Sequence, residues 1–275
     1  MRICVLVMSF IFLVLPGFLR AHGDVEEQIE ALTKQIHQDR GNSRLYLKRG
    51  ELHRVQQEWT AAEADYSRAA RLGLGLTVVE LARARMLFES GRASAALPRV
   101  DRYLTAEPGS IEARVLRARI LAKLSRGLEA AREFTRAIEQ LSEPQPEHYI
   151  ERARALFGEG PQHLDEALRG LDEGIQKLGP LVTLELLAID LELKGKTYDA
   201  ALGRLEAIAA QSPRQETWLA RRGEILLQAG RPAEARLAFR AALEAVEILP
   251  PGRRWTPATV ELEGRVRAAL RADTR

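Results

Sequence analysis

A period of about 34 residues constrains this chain more than any single residue does. Residues 46–69 read as two helices, the first carrying Tyr46, Gly50 and His53 on one face and the second Ala62, Tyr66 and Ala69. The arrangement returns five times. Gly50, Ala84, Ala118, Ala153, Ala188 and Gly223 are spaced 34, 34, 35, 35 and 35 apart, and Ala62, Ala96, Ala130, Ala167, Ala201 and Ala235 are spaced 34, 34, 37, 34 and 34. Small residues at these two positions let paired helices approach where a larger side chain would hold them apart. A helix pair repeated at this period stacks on its neighbours, so chain length sets no limit to the array.

Each pair has a first helix, A, and a second, B. Residues 24–38 are predicted to form an amphipathic half-unit, with Val25, Ile29, Leu32 and Ile36 on one stripe and Asp24 as N-cap. Six full pairs follow over residues 44–247. The A-to-B turn of the fourth, Gly158–Gln162, is two residues longer than the others, and the fifth is expected to turn at Gly195. After Pro250-Pro251, Thr256-Pro257 starts a last helix, Thr as N-cap and Pro at the first helical position. Leu262, Val266, Ala269 and Leu270 make its apolar stripe and Arg265, Arg267 and Arg271 its wet side, as an end piece requires. Trp255 is expected to pack this helix onto the sixth pair, the alternative being a partner anchor. Aromatic residues are only 5% of the chain against 46% hydrophobic, which fits a core of Ala and Leu between close helices.

The first 21 residues stand apart. Arg2, an apolar run from Ile3 to Leu19 and then Ala21 read as a secretory signal cleaved after Ala21, which places the protein in the periplasm or outside the cell. The alternative is an uncleaved anchor over residues 3–19, and only then would the membrane be a partner. Cleavage removes Cys4, the sole cysteine, so the mature chain has neither disulfide nor thiolate metal site. Losing Arg2 and Arg20 takes the formal charge from +3 to +1, which gives nucleic-acid binding no support.

Arginine recurs just before the small residue of helix A, at Arg49, Arg83, Arg117, Arg152 and Arg222, with Leu187 in the fifth pair. Asp65 and Glu133 lie on B helices, with Asp101 and Asp172 nearby, so an ion pair tying A to B within each pair is expected. No phosphate-cradling glycine loop, GxSxG elbow or HExxH pair is present, and no cofactor, metal or catalytic role is expected.

The units resemble tetratricopeptide repeats. The first matches the family pattern through Tyr46, Gly50, Trp59, Ala62, Tyr66 and Ala69, and the sixth through Trp218, Gly223, Gly230, Ala235, Phe239 and Ala242. The fourth and fifth carry Leu171 and Leu205 where the family has an aromatic residue. The resemblance covers roughly residues 24–250. It implies an all-α, right-handed solenoid of about six helix pairs with an N-terminal half-repeat and a C-terminal capping helix. It also implies a non-catalytic scaffold that holds a peptide or protein in a concave groove lined by the A helices. Arg85, Arg119 and Arg154 fall at a groove-lining position in consecutive units, with Phe88, Lys123 and Phe157 nearby. Three guanidiniums in a row favour an acidic ligand; Glu51 and Glu224 at the same position in the outer units leave open a simple solvated face. Two other readings remain. One is a membrane-tethered envelope assembly factor working through its convex face or termini. The other is a metal-binding protein using the mature N-terminal His22, which needs a further ligand from elsewhere.

Overall fold

The computed structural model describes residues 16–272, so most of the predicted signal lies outside the described residues. Among the described residues there are fifteen α-helices, one 3₁₀ turn and no strand. The chain forms two compact units, residues 1–120 and 121–275, with the boundary inside a helix.

The first unit holds α1 (Pro16–Gln38), α2 (Ser43–Val55), α3 (Trp59–Arg71), α4 (Leu76–Glu89), α5 (Ala93–Ala106) and most of α6 (Ile111–Lys123). Each helix packs on the next from α1 to α5, and the A helices α2 and α4 also touch. Helix α1 starts at Pro16, so Asp24 lies inside it rather than capping it. Proline at a helix start has a pre-set φ and no N–H to satisfy, which makes it the stronger start signal.

The second unit holds α7 (Gly127–Gln140), α8 (Pro146–Gly158), the 3₁₀ turn Pro161–His163, α9 (Leu164–Leu178), α10 (Val182–Lys194) and α11 (Tyr198–Ala210). It continues through α12 (Gln215–Gln228), α13 (Pro232–Glu247), the single turn α14 (Pro251–Arg254) and α15 (Pro257–Ala272). Successive helices pack in order, α8 also meets α10, and α15 lies on α13 and α12. Leu205, Ile225, Phe239, Val246, Leu262 and Val266 share one core. Each such buried side chain contributes about 1.5–3 kcal/mol. As the sequence predicts, Thr256 accepts the Thr259 amide at 3.3 Å and α15 begins at Pro257.

The small residues sit where the period puts them. Ala84, Ala118, Ala188, Ala62, Ala96 and Ala235 are all 0% exposed. A Cβ on Gly50 would stand 2.7 Å from Tyr66 Cε1, and one on Gly223 within 2.5 Å of Phe239 Cδ1. An aromatic ring on helix B therefore occupies the space that a side chain on helix A would need.

The A-to-B turn is one device used repeatedly. Gln57, Gly91, Ser125, Gly160, Lys196 and Gly230 all have positive φ. In all but the fourth, the next residue's amide reaches back five positions. Arg92 N–H donates to Leu87 O at 2.8 Å, Thr197 to Glu192 O at 2.9 Å and Arg231 to Leu226 O at 2.9 Å. This is the Schellman closure of a helix. In the fifth pair the left-handed residue is Lys196 (φ 60°), whereas Gly195 has φ −77° and is ordinary helix end. Gly195 is small for another reason: a Cβ there would land on Leu164 Cδ2. The fourth turn departs from the pattern, and its two extra residues become the 3₁₀ turn.

The ion pairs follow the sequence expectation in the first and fourth pairs and depart from it in the second and sixth. Arg49 binds Asp65 on its own B helix through two bonds of 2.7 and 2.8 Å, and Arg152 binds Glu173 on its own B helix at 2.6 Å. Arg83 instead reaches back to Glu63 on the preceding B helix at 2.7 Å, and Arg222 approaches Glu206 of the preceding B helix at 3.9 Å; Arg117 bonds Asp101 on α5 at 2.7 Å. Arg83 turns away because its own B helix presents Arg99, which pairs with Glu80 of α4 at 2.6 Å. The tether position on helix B thus changes character along the chain. Asp65 receives an arginine, Arg99 engages a glutamate, Gly170 offers its carbonyl to Arg152 at 3.0 Å, and Arg204 engages Glu192 and Glu185 at 2.7 and 3.2 Å.

Candidate partner-binding site

The predicted groove residues divide between the two units. Arg85, Phe88 and Arg119 belong to the first unit, and Lys123, Arg154 and Phe157 to the second. Arg85 is bonded to Glu112 of α6, so one of the three guanidiniums is neutralised by the next A helix. Phe88 is half-buried and Arg119 exposed. In the second unit Arg154 and Lys123 are exposed, and Phe157 is half-buried under the Lys194 ammonium, 4.9 Å from the ring centre. That geometry is a cation–π contact between α8 and α10.

Helix α10 adds residues that the charge pattern does not reveal. Val182, Leu186, Asp190 and Lys194 are exposed at a spacing of four, which aligns them on one face. Val182 is 45% and Leu186 38% exposed. Lys194 reaches Phe157 on α8, and Asp190 accepts from Arg221 on α12 at 3.1 Å, so the stripe runs between two other A helices. The signal was present in the sequence. Helix α10 is apolar on every side, although a helix with one wet face needs apolar residues on only part of its circumference.

Other A helices are also laced by charge. Arg54 of α2 holds Glu89 of α4 at 2.5 Å, and Glu224 of α12 accepts from Arg265 of α15 at 3.0 Å. Burial opposes the charge on Arg54, yet its bonds to Glu89 and Glu51 hold its pKa above the usual arginine value. Glu51 also accepts the Tyr66 hydroxyl at 2.7 Å; burial, with that carboxylate beside it, pushes the phenol well up, so it stays a donor.

The family model of the tetratricopeptide repeat matches residues 81–146 and 186–248. Those residues carry tetratricopeptide repeats. The chain's fold is shared with a tetratricopeptide repeat protein from Parabacteroides merdae, at 18% identity and a TM-score of 0.55, over 94% of this chain and 95% of that one. It is shared with the C-terminal part of a TPR repeat-containing protein from Cytophaga hutchinsonii, at 11% identity and a TM-score of 0.66, over 89% and 96%. YrrB, described as a TPR protein with an unusual peptide-binding site, matches at 20% identity and a TM-score of 0.50, over 62% of this chain and 87% of its own. Among curated proteins none matches the sequence.

Two further features bear on binding. Trp255 does not pack α15 onto the sixth pair: it is 67% exposed, with the Arg254 guanidinium 5.3 Å from its ring. Leu262 and Val266 share the core of the sixth pair instead, while Thr259 and the Thr256 cap both donate to the Arg253 carbonyl, at 2.9 and 3.2 Å. Among the described residues no group of three metal-ligating side chains occurs, and no helix is long and apolar enough to cross a membrane.

Proposed function

We propose that this protein is a non-catalytic interaction scaffold, exported from the cytoplasm, that holds a peptide or protein partner on the exposed faces of its A helices. The observation that carries the reading is the α10 stripe. Two exposed apolar side chains, Val182 and Leu186, stand on the same face as Lys194, which reaches α8, the helix of Arg154. Apolar anchors beside cations suit a partner that offers a hydrophobic side chain flanked by carboxylates. Arg85, Phe88 and Arg119 offer the same chemistry in the first unit, with Arg85 already engaged by Glu112. Export rests on Arg2 and the apolar run that follows it.

The test is capture from envelope extract with residues 22–275, beside a Leu186→Asp/Arg154→Glu variant of matched helix content. A protein retained by the first and lost by the second supports an A-face scaffold and identifies its client. Equal retention by both overturns the assignment.

A further inference from the structure

A second binding surface lies on the other side of the second unit. Helices α7 and α9, both B helices, flank a cleft of about 720 Å³ whose floor is α8. Its base is apolar, from Leu128, Ala131 and Leu156. Its walls and floor carry four guanidiniums against three carboxylates.

The cleft exists because of one missing side chain. In the following pair the matching position is Arg204, which fills the space over α10 by bonding Glu192, Glu185 and Asp172. Thirty-four residues earlier the position is Gly170, and a Cβ there would stand 2.9 Å from Arg152 Nη2. Arg152 therefore lies flat at the bottom, 6% exposed, tied by one nitrogen to the Gly170 carbonyl and Glu173. The space above it stays open. The extended fourth turn adds His163 to the lining.

The charges on the walls are unevenly committed. Arg136 is paired with the buried Glu133 at 3.0 Å, and His163 lies 3.6 Å from Glu166. Arg132 on α7 and Arg169 on α9 hold equivalent positions on opposite walls, two residues beyond Ala130 and Ala167. Both are exposed, and neither forms an ion pair among the described residues. Two uncommitted guanidiniums facing one cleft over an apolar base match an acidic segment with alternating apolar residues. A guanidinium can grip a carboxylate through two parallel bonds.

We propose that the α7–α9 cleft binds an acidic peptide segment, with Arg132 and Arg169 gripping its carboxylates from either side. This site is separate from the A-helix face and stands or falls independently of it. The probe is a fluorescein-labelled peptide of alternating glutamate and leucine, titrated with the full-length chain and read by anisotropy. Arg132→Gln/Arg169→Gln should weaken binding by at least about tenfold, the scale of one lost charged hydrogen bond. Arg240→Gln/Arg253→Gln removes the same charge from exposed positions that line neither the cleft nor the A-helix stripe, and should change binding by less than that. Thermal melts confirm that both variants fold. The proposal is overturned if the cleft variant binds as well as the parent, if the chain does not bind the peptide, or if a glutamine-for-glutamate peptide binds equally. Displacement by inorganic phosphate at constant ionic strength would assign the cleft to a small anion and overturn it as well.

Discussion

Arg204→Met tests the electrostatic reading of the core directly. The guanidinium serves three carboxylates, Glu192 and Asp172 at 2.7 Å and Glu185 at 3.2 Å. The Glu192 and Glu185 side chains are only 5% and 10% exposed, while Asp172 is 52% exposed and can turn to water. Methionine keeps much of the stem's volume, so the loss is mainly of charge. Removing one partner of a buried pair costs about 3–5 kcal/mol. For a unit of this size that is a fall in Tm of roughly 6–20 °C, at about 2–4 °C per kcal/mol. Burial already pushes the Glu192 pKa up, and the bond from Arg204 is the chief force opposing it. Without that bond the shift grows, and the sign follows. A carboxyl whose folded pKa is raised favours folding fully below its unfolded value, about 4.3, and that contribution is lost as pH rises through the folded value. The variant should therefore be weakest near pH 7 and recover toward pH 5, and adding Glu192→Gln should restore part of the loss at neutral pH. Urea unfolding followed by tryptophan fluorescence, at several pH values, measures this. A loss under about 1 kcal/mol with no pH dependence would refute a buried, charge-compensated hub.

Adjacent residues in the fifth turn should respond in opposite directions. Lys196→Gly should raise the unfolding free energy by roughly 0.5–1 kcal/mol, because it relieves a left-handed lysine at some entropic cost. Gly195→Ala should lower it by about 1–3 kcal/mol through the clash with Leu164; urea midpoints decide both. Tyr66→Phe should cost about 1 kcal/mol for the lost bond to Glu51, read by the same method. Mass measurement of the exported chain should show residues 1–21 gone; an intact mass would favour the anchor.

Much of the fold could be read from spacing because helix contact forces small residues at fixed intervals. Gly50, Ala84 and Ala118 announce the A helices for that reason, and Ala62, Ala96 and Ala130 the B helices. Local chemistry was harder to read. Glycine at 195 looked like a turn residue, but its smallness serves packing and the neighbouring lysine bears the strained dihedral. The arginine row looked uniform, but a long side chain between two B helices can reach either one, and the sign at positions 65 and 99 chooses. Val182 and Leu186 lie in a helix whose apolar residues fall on every side and whose Glu185 and Glu192 are buried, so periodicity cannot separate core from surface. Trp255 was expected to fill space, but Arg254 lies over its ring and the Thr256–Thr259 pair already secures the helix start.

A backbone that repeats itself six times invites its parts to assemble in the wrong order. Every B helix here offers nearly the same shape to every A helix, so shape alone cannot number them. The tether position supplies the numbering. Were α5 to settle on α2, Arg99 would meet Arg49; were α11 to settle on α8, Arg204 would meet Arg152. Like charges forced together out of water cost several kcal/mol, enough to reject the swap before packing is complete. Where that position is charged, its sign therefore acts as an address written into otherwise interchangeable parts. It also means that exchanging only the B helices of the first two pairs, α3 and α5, while preserving every small residue and every turn, would give a sequence that still reads as the same fold and assembles poorly.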